Sequence, residues 1–438
     1  MAKMLKILGE RNRPLQLRRI VSILGATTSL LWFAACAHSG LNAAPGRASA
    51  PKPTLILVSL DGFRADYFGQ APTPNLNRLI ESGVRAKALI PEFPTQTAPN
   101  HFSIVTGEYP EQHGIVANSF YDPVLKRGFK FSDPVLTGES VWWNADPIWI
   151  TAEKNGIKTA PMFWVGSQAE ISGVRPTYWK PFSGQVSSTE RVRQLLEWID
   201  LPEPERPRFL TLYLDTLDEV GHRTGPDSPE TKTGIETIDA SVGELLHGLD
   251  SRGIFNQVDI IVVSDHGMMG ISDERTIFLE DYIPIDQFRI SQAGPFASIT
   301  PVEGQEQAVY KALSHAHPKM KAYRKNEIPK RLHYRNNPRI APILLLAEPG
   351  WMIFDSREKA RKKTLGGSHG WAPTTPELYG IFVAHGPDFK TKVITEAFPN
   401  IFVHPLMMDI LGLKGAKPSS KLARELIHQL RSDKLGSR

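Results

Sequence analysis

The segment Leu55-Ile56-Leu57-Val58-Ser59-Leu60-Asp61-Gly62 decides the fold class. Its first six residues form an almost unbroken apolar run without the alternation of a half-exposed strand, as expected for a parallel strand covered on both faces. Two further runs repeat the pattern. Phe209-Leu210-Thr211-Leu212-Tyr213-Leu214 stops before Asp215 and Asp218, and Val258-Asp259-Ile260-Ile261-Val262-Val263 stops at Ser264-Asp265-His266-Gly267. Helical patterns fill the intervals: Thr73 to Gly83 has a start signal, an apolar stripe and a closing glycine, and Glu190 to Ile199 and Thr233 to Leu249 behave alike. We therefore expect an α/β fold with a mostly parallel central β-sheet, helices on both faces and ligands gathered beyond the strand carboxyl ends. The stretch from about Ile290 to Arg361 is basic and weakly periodic and reads as an insertion or peripheral subregion. From Lys417 onward the pattern is a short amphipathic helix outside the main core.

Of the 438 residues, 41% are hydrophobic and 22% charged, which excludes a disordered chain and a polytopic membrane protein. The net charge of +5 comes with basic residues concentrated at the two ends, Lys3 to Arg19 and Lys414 to Arg438, so no specific nucleic-acid binding is expected. Ile20 to Ala35 is apolar, preceded by positive charge and short for a bilayer span, the build of a secretory signal. It ends in Phe33-Ala34-Ala35-Cys36, where small residues precede the sole cysteine as in a bacterial lipobox, although an aliphatic residue is usual at the place of Phe33. The expectation is an exported protein, periplasmic or an outer-membrane lipoprotein in a bacterium, attached to the membrane through lipidated Cys36. An ordinary cleavage around Asn42 to Ala44 is the alternative. A lone cysteine allows no disulfide. The expected organisation is a signal at 1–36, a flexible tether at 37–53, one catalytic domain at 54–415 and a basic tail at 416–438.

Asp61, Asp218, His222, Asp265, His266 and His369 are the residue types that bind a divalent transition ion when thiolates are absent. Asp218 and His222 are four apart, on one side of a helical turn or compact loop directly after a buried strand. Asp265 and His266 sit on a strand-end turn closed by Gly267. Each piece alone is ordinary, since Asp-Gly after a strand is a turn signal and Asp-x-x-x-His recurs by chance. Together, six ligands fit two ions with three protein ligands each and open positions for substrate. His101, His113 and His385 are read as structural or supporting groups. The segment Phe93-Pro94-Thr95-Gln96-Thr97-Ala98-Pro99-Asn100-His101 marks a helix start with proline in its first turn. A threonine hydroxyl there becomes a nucleophile if a metal lowers its pKa, with helix-end amides favouring an anionic phosphate.

Six blocks carry a resemblance in the family order: Asp61-Gly62-Phe63-Arg64, Thr97 to His101, Thr211 to Asp215 leading to Asp218 and His222, Ser264 to Met268, Gly367-Ser368-His369-Gly370, and Ile381 to Pro387. The chain resembles the nucleotide pyrophosphatase/phosphodiesterase family of the alkaline phosphatase superfamily, from about Leu55 to about Leu413. The resemblance implies an alkaline phosphatase-like fold and two zinc ions per chain. One would be held by Asp61, Asp265 and His266 and would activate Thr97, and the other by Asp218, His222 and His369. Asn118 would contact a non-bridging phosphate oxygen together with the Thr97 amide. The implied reaction is hydrolysis of phosphodiester or pyrophosphate bonds in a small nucleotide-type substrate, releasing nucleoside monophosphates through a covalent phospho-threonine.

A neutral Asn118 suits the single negative charge of a diester, whereas a further cation would suit a monoester. Many family members carry an aromatic wall for the base right after the nucleophile, a position held here by Ala98, while Phe182 resembles the opposing wall. A base would then be sandwiched on one side only. Trp142, Trp143, Trp149, Trp164 and Trp179 either rim the cleft or pack in the interior. The alternatives are a diesterase acting on a lipid head group or other small diester, an alkaline phosphatase-like monoesterase, and a silent envelope binding protein. A sulfatase is disfavoured because the only cysteine lies in the signal.

Overall fold

Strand β1 (Thr54–Leu60) lies inside a seven-stranded sheet. The computed structural model describes residues 54–360, 365–414 and 421–432, so the expected signal, the tether and Cys36 lie outside the described residues. In chain order the remaining strands of this sheet are β2 (Val84–Ala86), β3 (Thr159–Met162), β4 (Phe209–Leu214), β5 (Val258–Val263), β6 (Phe382–His385) and β7 (Val393–Thr395). Their spatial order is β7-β2-β6-β5-β1-β4-β3. Only β6 runs against the others, pairing antiparallel with both β5 and β2. The sheet is mostly parallel, as expected, with this one antiparallel strand.

The apolar runs are explained by burial on two faces. Leu55 and Leu57 of β1 join one core cluster, Ile56, Val58 and Leu60 join the other, and all five are fully buried. Each such side chain contributes about 1.5 to 3 kcal/mol when withdrawn from water. The second cluster is roofed by helices α1 (Pro74–Glu81), α3 (Ser188–Ile199), α4 (Thr216–Thr224) and α5 (Pro229–Ser251), while α2 (Thr97–Thr106) and α6 (Val403–Ile410) cover the opposite face. Helix α1 starts with Pro74, whose missing N–H costs nothing there, and the Asp239 carboxylate of α5 accepts from the Asn75 and Leu76 amides. Sheet and helices thus hold the ends of β1, β4 and β5 side by side, in register along their lengths.

Two regions differ from expectation. The stretch read as a peripheral insertion builds its own four-stranded antiparallel sheet from Phe288–Gln292, Phe296–Pro301, Met320–Arg324 and Ile343–Ala347, with a separate apolar core that includes Ile299, Leu345, Val309 and Trp371. The amphipathic helix α7 (Lys421–Leu430) does not stand outside the main core. Ala423, Leu426 and Leu430 are buried in the first cluster, and Arg431 pairs with buried Asp388 at 3.2 Å. Among the described residues, no helix is long and apolar enough to cross a membrane.

Candidate active site

The carboxyl ends of β1, β4 and β5 bring Asp61, Asp218, Asp265 and His266 together, and α2 presents Thr97 to them. Asp61 follows β1 directly, and the turn after it needs Gly62, whose φ of +70° few side chains adopt and whose Cβ would stand 3.1 Å from Asp218. Asp218 and His222 lie one turn apart on α4, the helical one of the two forms their spacing allowed. His369 follows the short strand Gly366–Ser368, which packs tightly on α4: a Cβ on Gly367 would sit 2.5 Å from the Gly221 carbonyl.

Three imidazoles share one arrangement. The Nδ1–H of His222 donates to the Gly367 carbonyl at 2.8 Å, that of His266 to its neighbour Gly267 at 2.9 Å, and that of His369 to Thr95 at 2.8 Å. Every Nε2 lone pair is thereby left facing inward, the tautomer that a metal-binding histidine needs. His222 Nε2 and His369 Nε2 lie 3.0 Å apart, His266 Nε2 lies 3.5 Å from Asp61 Oδ1 and 3.0 Å from Asp265 Oδ2, and Asp218 stands 3.4 Å from His222 and 3.6 Å from His369. Asp61 Oδ1, Asp218 Oδ1 and Asp265 Oδ2 are buried without a hydrogen-bond donor among the described residues. Buried acceptors in this state cost several kcal/mol together unless a cation meets them.

Electrostatics point the same way. Burial first, then the charges of Asp265 and Asp218, push the Asp61 carboxyl well above the usual carboxylate range. Burial also raises Asp218, against the pull of His222 and His266. At Asp265 burial is opposed and outweighed by the imidazoles of His266 and His101, which hold the carboxyl well below its ordinary value. Burial and the neighbouring His266 and His222 depress His369 far below an ordinary imidazole. The buried Asp61 and Asp265 and the partly buried Asp218 have no lysine or arginine ion pair among the described residues. The expected set Asp218, His222 and His369 converges within 4.8 Å; the other convergent sets among the described residues are Asp61, Asp218 and His266, and Asp61, His101 and Asp265, so the residues of the other expected triad are divided between two groupings.

His101 also approaches Asp265, at 3.2 Å, and forms a third convergent set with Asp61. Its nitrogens are already engaged: Nδ1 donates to the Thr97 carbonyl at 2.9 Å and Nε2 accepts from the Ser59 hydroxyl at 2.8 Å. His101 is thus a supporting residue, as are His113, bonded to Ser103 at 3.0 Å, and His385, bonded to Ser82 at 2.9 Å.

Thr97 opens α2, its Oγ1 3.2 Å from His266 Nε2. Asn118 accepts at Oδ1 from the Ala98 amide at 2.9 Å, and its own N–H donates to Gln96 Oε1 at 2.9 Å. That leaves the Asn118 Nδ2 donor as the other end of its amide. Gln96, Asn118, His222 and His369 line a cavity of about 390 Å³, also bordered by Gln292 to Pro295 at the first turn of the small antiparallel sheet and by Met352 and Phe354. The supposedly peripheral region therefore borders the site. Among the described residues, no lysine or arginine lines this cavity.

Phe182 is half exposed and lines a second, apolar cavity of about 370 Å³ with Phe131, Phe163, Trp164 and Tyr213. Ala98 does not face it. Its methyl is fully buried in the first core cluster, too short to emerge from the helix start, and only its backbone amide reaches the site, through Asn118. Of the five tryptophans noted in the sequence, Trp142, Trp143, Trp149 and Trp164 are buried, and Trp164 alone of them borders the cavity. Two contributors escaped sequence reading. Tyr213, which looked like one more residue of a buried strand, donates its hydroxyl to Asp61 Oδ2 at 2.5 Å. Thr95 holds His369 by its carbonyl and the Gly370 amide by its hydroxyl at 2.8 Å, and its place two residues before Thr97 was the available signal.

Comparison with known proteins gives a consistent result. The model of the family described as type I phosphodiesterase / nucleotide pyrophosphatase matches residues 55–372. The chain is 36% identical over 359 residues to human ectonucleotide pyrophosphatase/phosphodiesterase family member 5, covering 82% of this chain and 74% of that protein. It is 39% identical over 388 residues to a venom phosphodiesterase of Macrovipera lebetinus, covering 86% of this chain but 45% of the venom protein, so it spans less than half of that relative. Among solved structures, an inactive threonine-to-alanine variant of murine ectonucleotide pyrophosphatase/phosphodiesterase 5 in complex with AMP superposes with a TM-score of 0.83 at 35% identity, over 86% of this chain and 100% of that one.

Proposed function

The chain belongs to the type I phosphodiesterase / nucleotide pyrophosphatase family, and from that premise we propose that it hydrolyses phosphodiester or pyrophosphate bonds of small nucleotides through a phospho-threonine at Thr97. The observation that carries the reading is the convergence of three Nε2 lone pairs and three donorless carboxylate oxygens beside the Thr97 hydroxyl. Such a set suits two divalent ions, zinc by its mixture of imidazole and carboxylate. Asp61, Asp265 and His266 would hold one beside Thr97, and Asp218, His222 and His369 the other. When bound, the ions supply charge that lowers the pKa of the threonine hydroxyl and offsets the negative charge of the leaving oxygen.

The residues of the chain then divide the work. Thr97 Oγ1 attacks phosphorus in line, forming the P–O bond to threonine as the bond to the leaving alcohol or phosphate breaks. Asn118 Nδ2, oriented by the Ala98 amide and Gln96, donates to a non-bridging oxygen. Water then attacks phosphorus from the vacated side and releases Thr97, so two inversions give net retention. The inactive threonine variant of the murine relative, and its AMP complex, support both the nucleophile and the nucleoside monophosphate product. A neutral Asn118 and a cavity lined, among described residues, without lysine or arginine favour a diester over a monoester. The relatives, named as ectonucleotidases and a venom enzyme, support export. Anchoring through Cys36 is part of the proposal and is tested by the mass of the mature amino terminus.

The deciding experiment compares the thymidine 5′-monophosphate p-nitrophenyl ester with p-nitrophenyl phosphate on metal-loaded protein. The ester should be turned over at least about 10-fold faster in kcat/KM, a difference of about 1.4 kcal/mol in transition-state binding. Preference for the monoester overturns the proposal.

A further inference from the structure

The basic stretch that the sequence marked as peripheral closes on itself beside a further cavity. Strand Met320–Arg324 pairs antiparallel with Ile343–Ala347, Arg324 opposite Ile343, so the connection 325–342 must return to where it began. The Lys325 amide donates to the Pro342 carbonyl at 2.9 Å where the loop closes. This loop, the hairpin of Ser119–Asp122 and Arg127–Lys130, and the small antiparallel sheet border an open cavity of about 710 Å³, a size suited to a small organic molecule. Among the described residues, none lines both this cavity and either of the two described above. Ser291 of its lining and Gln292 of the active-site lining are consecutive, so the two spaces share one strand end.

The charges on its wall do not balance. Among the described residues, Arg324, Lys325, Arg335 and Arg339 line it against a single carboxylate, Glu306. Two of these cations are spent. Arg339 is buried, its Nε donating to Asp122 at 2.7 Å and its Nη1 to the Gly114 and Trp142 carbonyls at 2.9 and 2.6 Å. Arg324 pairs with Glu306 at 3.1 Å, donates to Gln307 at 2.5 Å and has Glu327 4.0 Å away. Lys325 and Arg335 have no carboxylate ion pair among the described residues. Lys325 Nζ donates to the Asn337 carbonyl at 2.5 Å and Arg335 Nη1 to the Asn326 carbonyl at 3.2 Å, which leaves most of their N–H groups unused. Glu111 lies outside the lining, its carboxylate accepting from the Arg335 and Asn336 backbone amides at 2.6 and 2.8 Å. Burial lowers the Lys325 ammonium below the ordinary lysine range, as expected of a cation that has lost water without gaining a counter-charge.

Two unspent positive charges match a phosphomonoester, which carries about two negative charges above a pH of about 6, better than the single charge of a diester. The active-site cavity, without lysine or arginine among the described residues, has the opposite character. Tyr121, 40% exposed, and Pro123, Pro338 and Pro342 add apolar wall for the organic part of such an ester. We propose that this cavity is a second binding site, separate from the one at Thr97, that takes a small organic phosphomonoester with its phosphate on Lys325 and Arg335. Nucleoside monophosphates released by the proposed hydrolysis belong to this class; that link rests on the hydrolase reading, and the site itself does not.

The test counts bound equivalents on the full metal-loaded protein by equilibrium dialysis, with AMP, inorganic phosphate and dimethyl phosphate as probes. AMP should fill one equivalent whose affinity falls about 10-fold or more in Lys325→Gln and again in Arg335→Gln, with thermal midpoints unchanged, while Lys325→Arg retains it. At that equivalent AMP should bind about 10-fold tighter than inorganic phosphate, and dimethyl phosphate, with one negative charge, should not bind measurably. An AMP isotherm that neither variant alters overturns the assignment. Inorganic phosphate bound as tightly as AMP overturns the organic ligand, and dimethyl phosphate bound as tightly as inorganic phosphate overturns the preference for a monoester. An AMP equivalent that depends on Lys325 and Arg335 in a protein that leaves the nucleotide ester intact upholds the site while removing the hydrolase reading.

Discussion

His222 Nε2 and His369 Nε2 face each other at 3.0 Å, each with its Nδ1 proton already given to a backbone carbonyl. Two lone pairs at that separation repel unless a positive charge lies between them. Chelated protein should therefore be less stable than loaded protein, and titrating zinc into it should raise the thermal midpoint. At a free concentration 100 times the dissociation constant the gain is about 2.7 kcal/mol per site. His369→Ala should reduce the bound metal by one equivalent in elemental analysis; two equivalents retained would remove His369 from the ligand set.

Replacing the nucleophile separates chemistry from binding. Thr97→Ala should retain metal and AMP binding while turnover of the nucleotide ester falls by about 10³-fold or more. A burst of p-nitrophenol followed by trapping of a phosphorylated peptide containing Thr97 is the direct check in the wild type. Comparable turnover in Thr97→Ala would take the threonine out of the reaction.

Tyr213 acts on the proposed metal site from behind. Its hydroxyl donates to Asp61, and burial together with the nearby Asp61 charge holds the phenol protonated far above its ordinary pKa. Tyr213→Phe removes that donor with little change in shape. Partners of this kind typically contribute 10- to 100-fold in metal affinity, so competition with a chelator should show a loss of about that size.

Acid should weaken the fold through His113. Burial pushes this imidazole down to about 3, and Nδ1 accepts from the Ile115 amide at 3.2 Å, an acceptance that protonation would end. The unfolded imidazole titrates near about 6.5. Stability from this group is thus complete above about pH 6.5 and declines as pH falls toward 3, by about 1.4 kcal/mol per pH unit. Urea midpoints at pH 7.5 and 5.5 measure the decline, and His113→Gln should flatten it.

The central sheet was legible because β1, β4 and β5 are buried on both faces, which writes itself as continuous apolar sequence ending in an acid. The ligand types followed from those ends. The small antiparallel sheet was not legible: its first strand, Phe288–Gln292, buries one residue of five, and Phe296–Pro301 pairs with Ile343–Ala347 across a long intervening stretch. Helix α7 hid its docking for the same reason, since amphipathic spacing tells that one face is covered but not by what. Tyr213 and Asp61 are 152 residues apart, so their contact leaves no local trace. Ala98 drew notice only through the family pattern, and its buried methyl shows that the helix start turns the side chain inward, away from the site.

The six candidate ligands leave the ribosome in an order that begins with Asp61 and ends with His369, on segments joined only by the completed sheet and the short strand beside α4. A nascent or unfolded chain consequently holds no finished nest for an ion, and a fragment ending before residue 369 lacks the last arm of one. On the proposed metal reading, loading would be the closing act of assembly, after translocation in any chain exported unfolded, and would draw on the metal supply of the compartment where folding finishes.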